Sequence, residues 1–307
     1  MGKIWEHRAA YNFFRYIVDW NTRMSFVRLS VVGTENIPDD GAVILASNHC
    51  NALMDALVIL QARKGPTVFG ARADIFKNKK AAAILRWLRI VPLARQKDGR
   101  EELIHNNSIF DVAVEALGHG VPFCLFAEGT HRTKRSLLPI KKGVFRIAAR
   151  ALEAGLKKVY IVPVGLEYED YFKYMGTCRM TYGKPIPYTG EEDTRVMTQK
   201  LHDAIAGLIT YFPDDENYDK ALAEYEAAHR PAVKWWMYPL ALVSLPLFIV
   251  CAAICSPILL ASCLIGRSME DKTWLNTIRY SSRLILIPWW PFHSLYFLLL
   301  NLYRKLV

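Results

Sequence analysis

The stretch Ala42-Val43-Ile44-Leu45-Ala46-Ser47-Asn48-His49-Cys50-Asn51-Ala52-Leu53-Met54-Asp55-Ala56-Leu57-Val58-Ile59-Leu60-Gln61-Ala62 decides the fold. Its first six residues form a short apolar run behind the turn-rich Gly33-Thr34-Glu35-Asn36-Ile37-Pro38-Asp39-Asp40-Gly41, and read as a buried strand. Asn51 to Ala62 read as a helix, so Asn48 and His49 fall on a strand-to-helix junction, where a side chain is both exposed and fixed. The junction pairs an imidazole, His49, with a carboxylate, Asp55. Residues six apart on an ideal helix differ by about 600 degrees and lie on different faces. The two groups therefore meet only if His49 stays in the turn while Asp55 reaches back from the early helix, with Asn51 as the expected cap. In that geometry Asp55 fixes the tautomer of the imidazole and stabilises its protonated form while His49 takes a hydroxyl proton.

Strands alternate with longer helices on both sides of this junction. Strands are expected at Ser25 to Val32, Thr67 to Ala71, Ile90 to Leu93, Pro122 to Phe126, Val159 to Val164 and Arg179 to Gly183. Helices are expected at Lys80 to Leu88, Glu102 to Leu117, Val144 to Ala154 and Glu191 to Ile209. The pattern predicts an α/β fold with a mostly parallel central sheet flanked by helices. Ligand sites in such sheets collect at the carboxyl ends of strands, and two candidate loops follow predicted strands: Asn48-His49, and Glu128-Gly129-Thr130 within the anion-binding stretch Phe126 to Arg132. The expected division is an amphipathic amino-terminal helix (1–24), a catalytic domain (25–211), a polar linker (212–233) and a membrane-associated hydrophobic hairpin (234–307).

The chain has 307 residues, 52% hydrophobic, with a formal net charge of +10. No charged side chain occurs from Trp235 to Gly266, a run longer than the roughly 20 residues that cross a bilayer. A second run, Leu284 to Tyr303, is just long enough. Pro239, Pro246 and Pro257 interrupt the first and Pro288, Pro291 and His293 the second, which leaves kinked spans and a re-entrant hairpin both open. Two crossings would put Arg267, Lys272, Arg279 and Arg283 on the side opposite the catalytic domain, against the usual preference for cytoplasmic cations; a shallow hairpin removes that conflict. Near the amino terminus Trp5, Tyr11, Phe13, Phe14, Tyr16, Ile17 and Trp20 mix with Arg8, Arg15 and Arg23, a composition suited to rings in the headgroup zone and cations on lipid phosphates. The start Met1-Gly2-Lys3-Ile4-Trp5-Glu6 has neither a secretory core nor the Ser or Thr of a myristoylation site, so the catalytic domain is expected at a membrane, facing the cytoplasm. The six cysteines lack zinc-site spacing and read as reduced packing residues, with no metal expected. No motif for DNA or RNA accompanies the basic charge.

The block His49 to Asp55 resembles the first signature motif of the glycerolipid acyltransferases, the superfamily that includes glycerol-3-phosphate and lysophosphatidate acyltransferases. The common form is His-x4-Asp; here five residues separate the pair, as in some eukaryotic-type glycerol-3-phosphate acyltransferases. Ile90-Val91-Pro92-Leu93-Ala94-Arg95 resembles the second motif, whose arginine contacts substrate phosphate, and Arg95 is the matching residue. Glu128-Gly129-Thr130 matches the third, with His131 in the place of its usual arginine and Arg132 one residue later. Ile161-Val162-Pro163-Val164-Gly165 resembles the fourth, and the four ordered blocks cover roughly residues 25 to 190.

The resemblance implies acyl transfer from acyl-CoA or acyl carrier protein, without a cofactor, to the hydroxyl of lysophosphatidate, with glycerol-3-phosphate or another lysolipid as the alternative acceptor. A guanidinium binds two phosphate oxygens in a fixed fork, which suits Arg95 and Arg132; of Lys134, Arg135, Lys141 and Lys142, only Lys142-Gly143 fits the family spacing. Gly129 permits close backbone approach, Thr130 offers a hydrogen bond, and Glu128 orders donors around the site. Arg72, Lys77, Lys79 and Lys80 are candidates for a cationic rim or for ordinary solvated charge. Two other classes stay open: a non-catalytic membrane-remodelling scaffold, and a hydrolase or thiol acyltransferase using Cys50.

Overall fold

The computed structural model describes residues 3–6, 9–63, 65–93, 110–229, 232–285 and 290–306. In chain order its helices and strands are α1 (Ala9–Arg23), β1 (Arg28–Val32), β2 (Ala42–Ser47), α2 (Ala52–Ala62), β3 (Val68–Arg72), α3 (Lys79–Trp87), β4 (Ile90–Leu93), helical residues 110–118 (α4), β5 (Phe123–Phe126), α5 (Gly143–Glu153), β6 (Val159–Tyr168), β7 (Thr177–Tyr182), β8 (Ile186–Pro187), α6 (Thr194–Ala206), α7 (Tyr218–Ala228), α8 (Met237–Ser268), α9 (Leu275–Ile285) and α10 (Trp290–Leu306). The part of the expected Glu102 to Leu117 helix before residue 110 lies outside the described residues.

All six residues of β2 are buried, because helices cover both faces of the sheet. Ala42, Ile44 and Ala46 pack with α4, α5 and α6, whereas Val43 and Leu45 point the other way, into a second core with α2, α9 and α10. The strand order is β1-β7-β6-β2-β5-β3-β4, with β8 beside β6. Every described pairing is parallel except β6 with β7 and β6 with β8. The antiparallel turn has a simple cause: only residues 169–176 join β6 to β7, too few for the crossover of a dozen or more residues that a parallel neighbour requires. β6 also runs four residues beyond the expected Val164, to Tyr168, paired with β7 from Val164↔Tyr182 to Tyr168↔Cys178.

The amino-terminal helix does not present all its cations to lipid. Arg15 is buried and donates to the carbonyls of Leu60, Arg63 and Gly65, at and just beyond the carboxyl end of α2, where a cation also meets the negative end of the helix dipole. Tyr11 packs edge-on against Trp87, while Phe13 and Tyr16 remain 70% and 72% exposed. The expected polar linker contains α7, anchored by buried Tyr218, whose hydroxyl accepts from the Arg135 amide at 2.9 Å.

The carboxyl-terminal region is not the expected two-element hydrophobic hairpin. The start of its second run belongs to the separate amphipathic α9 (Leu275–Ile285), and the later part forms α10 from Trp290. α9 packs on the part of the chain from which two crossings, one of the two arrangements left open, would have separated it: Arg279 donates to the Phe172 carbonyl at 2.6 Å and Arg283 to the Met24 carbonyl at 2.5 Å. Among the described residues α8 alone is long and apolar enough to cross a membrane. Ser244, toward its amino end, bonds Tyr303 of α10 at 3.0 Å, and α10 is tied down by Asn301 to the carbonyls of Tyr174 and Met175.

Gly165 marks a close approach of α6's end to the sheet. A Cβ built there would lie 2.5 Å from Leu208 Cβ and 3.1 Å from the Leu208 carbonyl oxygen, in the turn after α6. Gly165→Ala is expected to destabilise the fold by about 1–3 kcal/mol through overpacking, read as a lowered urea midpoint with an unchanged m-value.

Candidate active site

The carboxyl ends of β2, β5 and β6, three adjacent strands, bring the site together. Asn48 fixes the path out of β2 by a two-way clamp on β6: the Leu166 amide donates to Asn48 Oδ1 at 2.7 Å, and Asn48 Nδ2 donates to the Leu166 carbonyl at 2.9 Å. The chain then turns through His49 and Cys50 and enters α2 at Ala52, a non-glycine residue with φ of 43°. That left-handed backbone costs about 1–2 kcal/mol.

Asp55, in the first turn of α2, is fully buried and holds this turn in place. Its Oδ2 accepts from the amides of Cys50 and Asn51 at 2.7 and 2.8 Å and lies 2.7 Å from His49 Nδ1. Its Oδ1 accepts from the Tyr168 hydroxyl at 2.8 Å. Asn51 stands at the cap position, but its side chain accepts no helix amide; its Nδ2 donates to the Tyr171 carbonyl at 3.2 Å. The carboxylate of Asp55, favoured at a helix amino terminus, organises the junction in its place. With Nδ1 facing Asp55, His49 Nε2 is the ring nitrogen not engaged by that carboxylate. Phe126 stacks on the His49 ring at 3.9 Å and His131 meets it edge-on at 5.0 Å.

The loop after β5 holds the same turn from the other side. The Ala127 amide donates to the Ser47 carbonyl at 2.8 Å and the Arg132 amide to the His49 carbonyl at 3.2 Å. Buried Glu128 accepts from the His49 amide at 2.8 Å through Oε1 and from the Leu138 amide at 2.7 Å through Oε2. Burial pushes its carboxyl up to about 7, against the two amides and the Arg132 guanidinium, which pull it down. Gly129 has a φ of 72°, and a Cβ there would come within 3.2 Å of the Lys141 side chain; Thr130 is exposed on the rim.

The cations are arranged less simply than their spacing implied. Arg132 donates to Asp214 at 2.5 Å, Ser136 at 2.7 Å and the Leu137 carbonyl at 3.3 Å, and Lys134 reaches the other Asp214 oxygen at 2.8 Å. Arg135 is buried, paired with Glu167 at 3.0 Å and donating to the carbonyls of Tyr168 and Glu169. Lys142 is exposed at the start of α5, beside a shallow depression lined by Phe145, Arg146 and Tyr188. Arg72 pairs with Asp74, and Lys77, Lys79 and Lys80 are exposed. Ile90 to Leu93 form β4, whereas Ala94 and Arg95 lie outside the described residues. Cys50 is buried, and burial, then the neighbouring Asp55 charge, push its thiol well above the usual value, which suits packing and not nucleophilic attack.

Tyr168, Arg135 and the Asn48 clamp were not anticipated from the sequence. Tyr168 is 113 residues from Asp55, and no local pattern links them.

Residues 28–167 match the acyltransferase family. The chain is 26% identical over 172 residues to 1-acyl-sn-glycerol-3-phosphate acyltransferase alpha of Homo sapiens, covering 53% of this chain and 56% of that protein. Glycerol-3-phosphate O-acyltransferase 2 of Saccharomyces cerevisiae is 30% identical over 140 residues, 42% of this chain and 18% of that one. Lyso-ornithine lipid O-acyltransferase of Brucella abortus is 25% identical over 235 residues, 67% of this chain and 83% of that one. The chain spans about half the length of the mammalian relatives it matches.

Tyr168→Phe removes the hydroxyl that donates to buried Asp55 Oδ1 at 2.8 Å, and is expected to cost about 1–3 kcal/mol of stability, measured by urea denaturation. Glu128 has a second signature in pH. Its folded pKa of about 7 exceeds the ordinary 4.5, so its contribution to stability is fully present below 4.5 and is lost as pH rises through 7. The stability advantage of the wild type over Glu128→Gln is therefore expected to shrink across that window, read from urea midpoints at a series of pH values.

Proposed function

We propose, because this chain belongs to the glycerolipid acyltransferase superfamily, that it moves a fatty acyl group from an acyl thioester to the free hydroxyl of lysophosphatidate, giving phosphatidate. The observation that carries this reading is the 2.7 Å contact between His49 Nδ1 and buried Asp55, which supports the assignment of Nε2 to the acceptor hydroxyl. In the proposed step Nε2 takes the acceptor hydroxyl proton as the oxygen bonds to the thioester carbonyl carbon. The tetrahedral adduct collapses with loss of the carbon–sulfur bond, and the imidazolium returns its proton to the departing thiolate. Acyl-CoA or acyl carrier protein supplies the thioester, and the protein's own groups suffice for both proton transfers.

The acceptor phosphate is assigned to Arg95, with Thr130 and Lys142 on the rim. Glu128 and Gly129 shape the loop that carries Thr130. Arg132 joins this set only by exchanging Asp214 for the phosphate, since its guanidinium is already engaged. The membrane-bound arrangement is assigned to a helix lying along the cytoplasmic membrane surface. α8 is about 48 Å long at 1.5 Å per residue, and Asp271, just past its carboxyl end, reaches His131, while Ser244 near its amino end is tied through α10 to the catalytic domain. Leu242, Val243 and Leu260 on it are 73%, 77% and 62% exposed, a face suited to the acyl boundary.

Glycerol-3-phosphate is the second reading of the acceptor, favoured by the five-residue His-to-Asp spacing and by the similarity to the yeast protein. The test is mass-spectrometric detection of product from the detergent-solubilised protein, given acyl-CoA or acyl carrier protein with lysophosphatidate, glycerol-3-phosphate or other lysolipids in parallel. Phosphatidate is expected from lysophosphatidate, and His49→Ala is expected to lower the rate by about 10²–10⁴-fold, the usual worth of a general base. Product from glycerol-3-phosphate alone moves the protein to the earlier acylation, and undiminished turnover in His49→Ala rejects the mechanism.

A further inference from the structure

The connection that leaves α8 turns back onto the candidate base. Asp271 Oδ2 lies 2.6 Å from His131 Nε2. Trp274, three residues on, meets the same imidazole edge-on, with ring centroids 6.1 Å apart. His131 in turn stands edge-on to His49 at 5.0 Å. Two direct contacts in series, with Trp274 beside the first, thus run from the end of the long apolar helix to the ring expected to take the substrate proton.

This linkage is built with the same economy as the junction around Asp55. Asp271 Oδ1 accepts from both the amide and the hydroxyl of Thr273, at 3.0 and 2.6 Å, and Thr273 is buried. Lys272 Nζ closes the turn by donating to the Gly266 carbonyl at 2.7 Å. The carboxylate therefore has one oxygen for its own turn and one for His131. The His131 side chain is 10% exposed against 46% for Asp271, so the imidazole is enclosed and its anchor sits on the rim. Asp55 fixes one nitrogen of His49 and Phe126 one face of the ring; His131 is the remaining aromatic contact that restrains its tilt.

We propose that Asp271 and Trp274 are positioning residues of the active site: they hold His131 against His49, so that the segment following α8 sets the orientation of the proton-accepting imidazole. This rests on the acyl-transfer reading for its consequence in turnover, but not for its geometry.

The test is a double-mutant cycle of His131→Ala and Asp271→Ala in the full-length protein, with Asp271→Glu as the conservative rescue. Turnover is measured alongside the rate at which diethylpyrocarbonate modifies His49, resolved by peptide mass spectrometry. Each single variant is expected to lower kcat about tenfold, the scale of a small misplacement of a reacting group, with the donor KM little changed. The double variant should lose no more than the worse single one, as coupled residues do. Asp271→Glu should recover most of the rate, and His49 should be modified several-fold faster in both alanine variants. Losses that multiply in the double variant, or wild-type modification rates at His49 in a folded Asp271→Ala protein, overturn the proposal. If the wild type transfers no acyl group to any acceptor, the reaction assignment fails, while the modification rates still decide whether Asp271 holds the ring.

Discussion

Asp55 has no exposure to solvent, and an unsatisfied charge in that position would cost several kcal/mol. It is tolerable because two backbone amides, an imidazole and a phenol converge on it, with the Cys50 thiol at 3.8 Å. The same convergence dictates the local backbone. The amides of Cys50 and Asn51 reach Oδ2 only if the chain turns sharply before α2, which coincides with the left-handed conformation at Ala52. The Tyr168 hydroxyl reaches Oδ1 only if β6 continues past Gly165. A constraint that begins as the solvation of one charge therefore extends to the start of a helix and the length of a strand.

Glu128 repeats the device one strand over. Each of its oxygens accepts a backbone amide, one from the His49 turn and one from Leu138 beyond the loop. Two buried carboxylates thus hold the single imidazole, Asp55 by its ring and Glu128 by its main chain. Their contacts separate them: Asp55 touches His49 Nδ1, across the ring from the proposed proton acceptor Nε2, whereas Glu128 touches only amides and so fixes position. A buried arginine, Arg135, ties the far side of the loop to the end of β6, so the loop cannot shift relative to Tyr168 without breaking an ion pair.

The local rules that act within a few residues were legible in the sequence. The apolar run Ala42 to Ser47 is the observed β2, the helix from Asn51 begins one residue later than expected, and the argument from helical pitch placed His49 in the turn and Asp55 within reach. What escaped the sequence depends on distance along the chain. The Tyr168 partner, the Asn48 clamp on Leu166 and the Asp271 contact with His131 bridge 113, 118 and 140 residues, and nothing in the spacing of their neighbours encodes them. Cations were the least legible for another reason. Arg15, Arg132 and Arg135 look alike in sequence, and each is consumed by a partner whose location only the tertiary fold supplies.

The long apolar helix illustrates why hydropathy specifies an environment but not a path. Its composition meets the requirement for a span, yet the residues that follow it are bound to the catalytic domain at Phe172, Met24 and His131. A helix crossing once would carry Asp271 to the other side of the bilayer, about 30 Å from the domain it contacts. The contact of Asp271 with His131, together with the tie of Ser244 through α10, holds both ends of α8 to the same domain. The exposed side chains of α8 then offer one broad apolar flank in place of two polar ends, and this flank shares an edge with the active-site loop through the turn at Asp271. In the proposed reaction, an acceptor whose chain stays in lipid and whose hydroxyl reaches His49 would cross that edge, which puts Asp271 and its turn between the apolar flank and the proposed base.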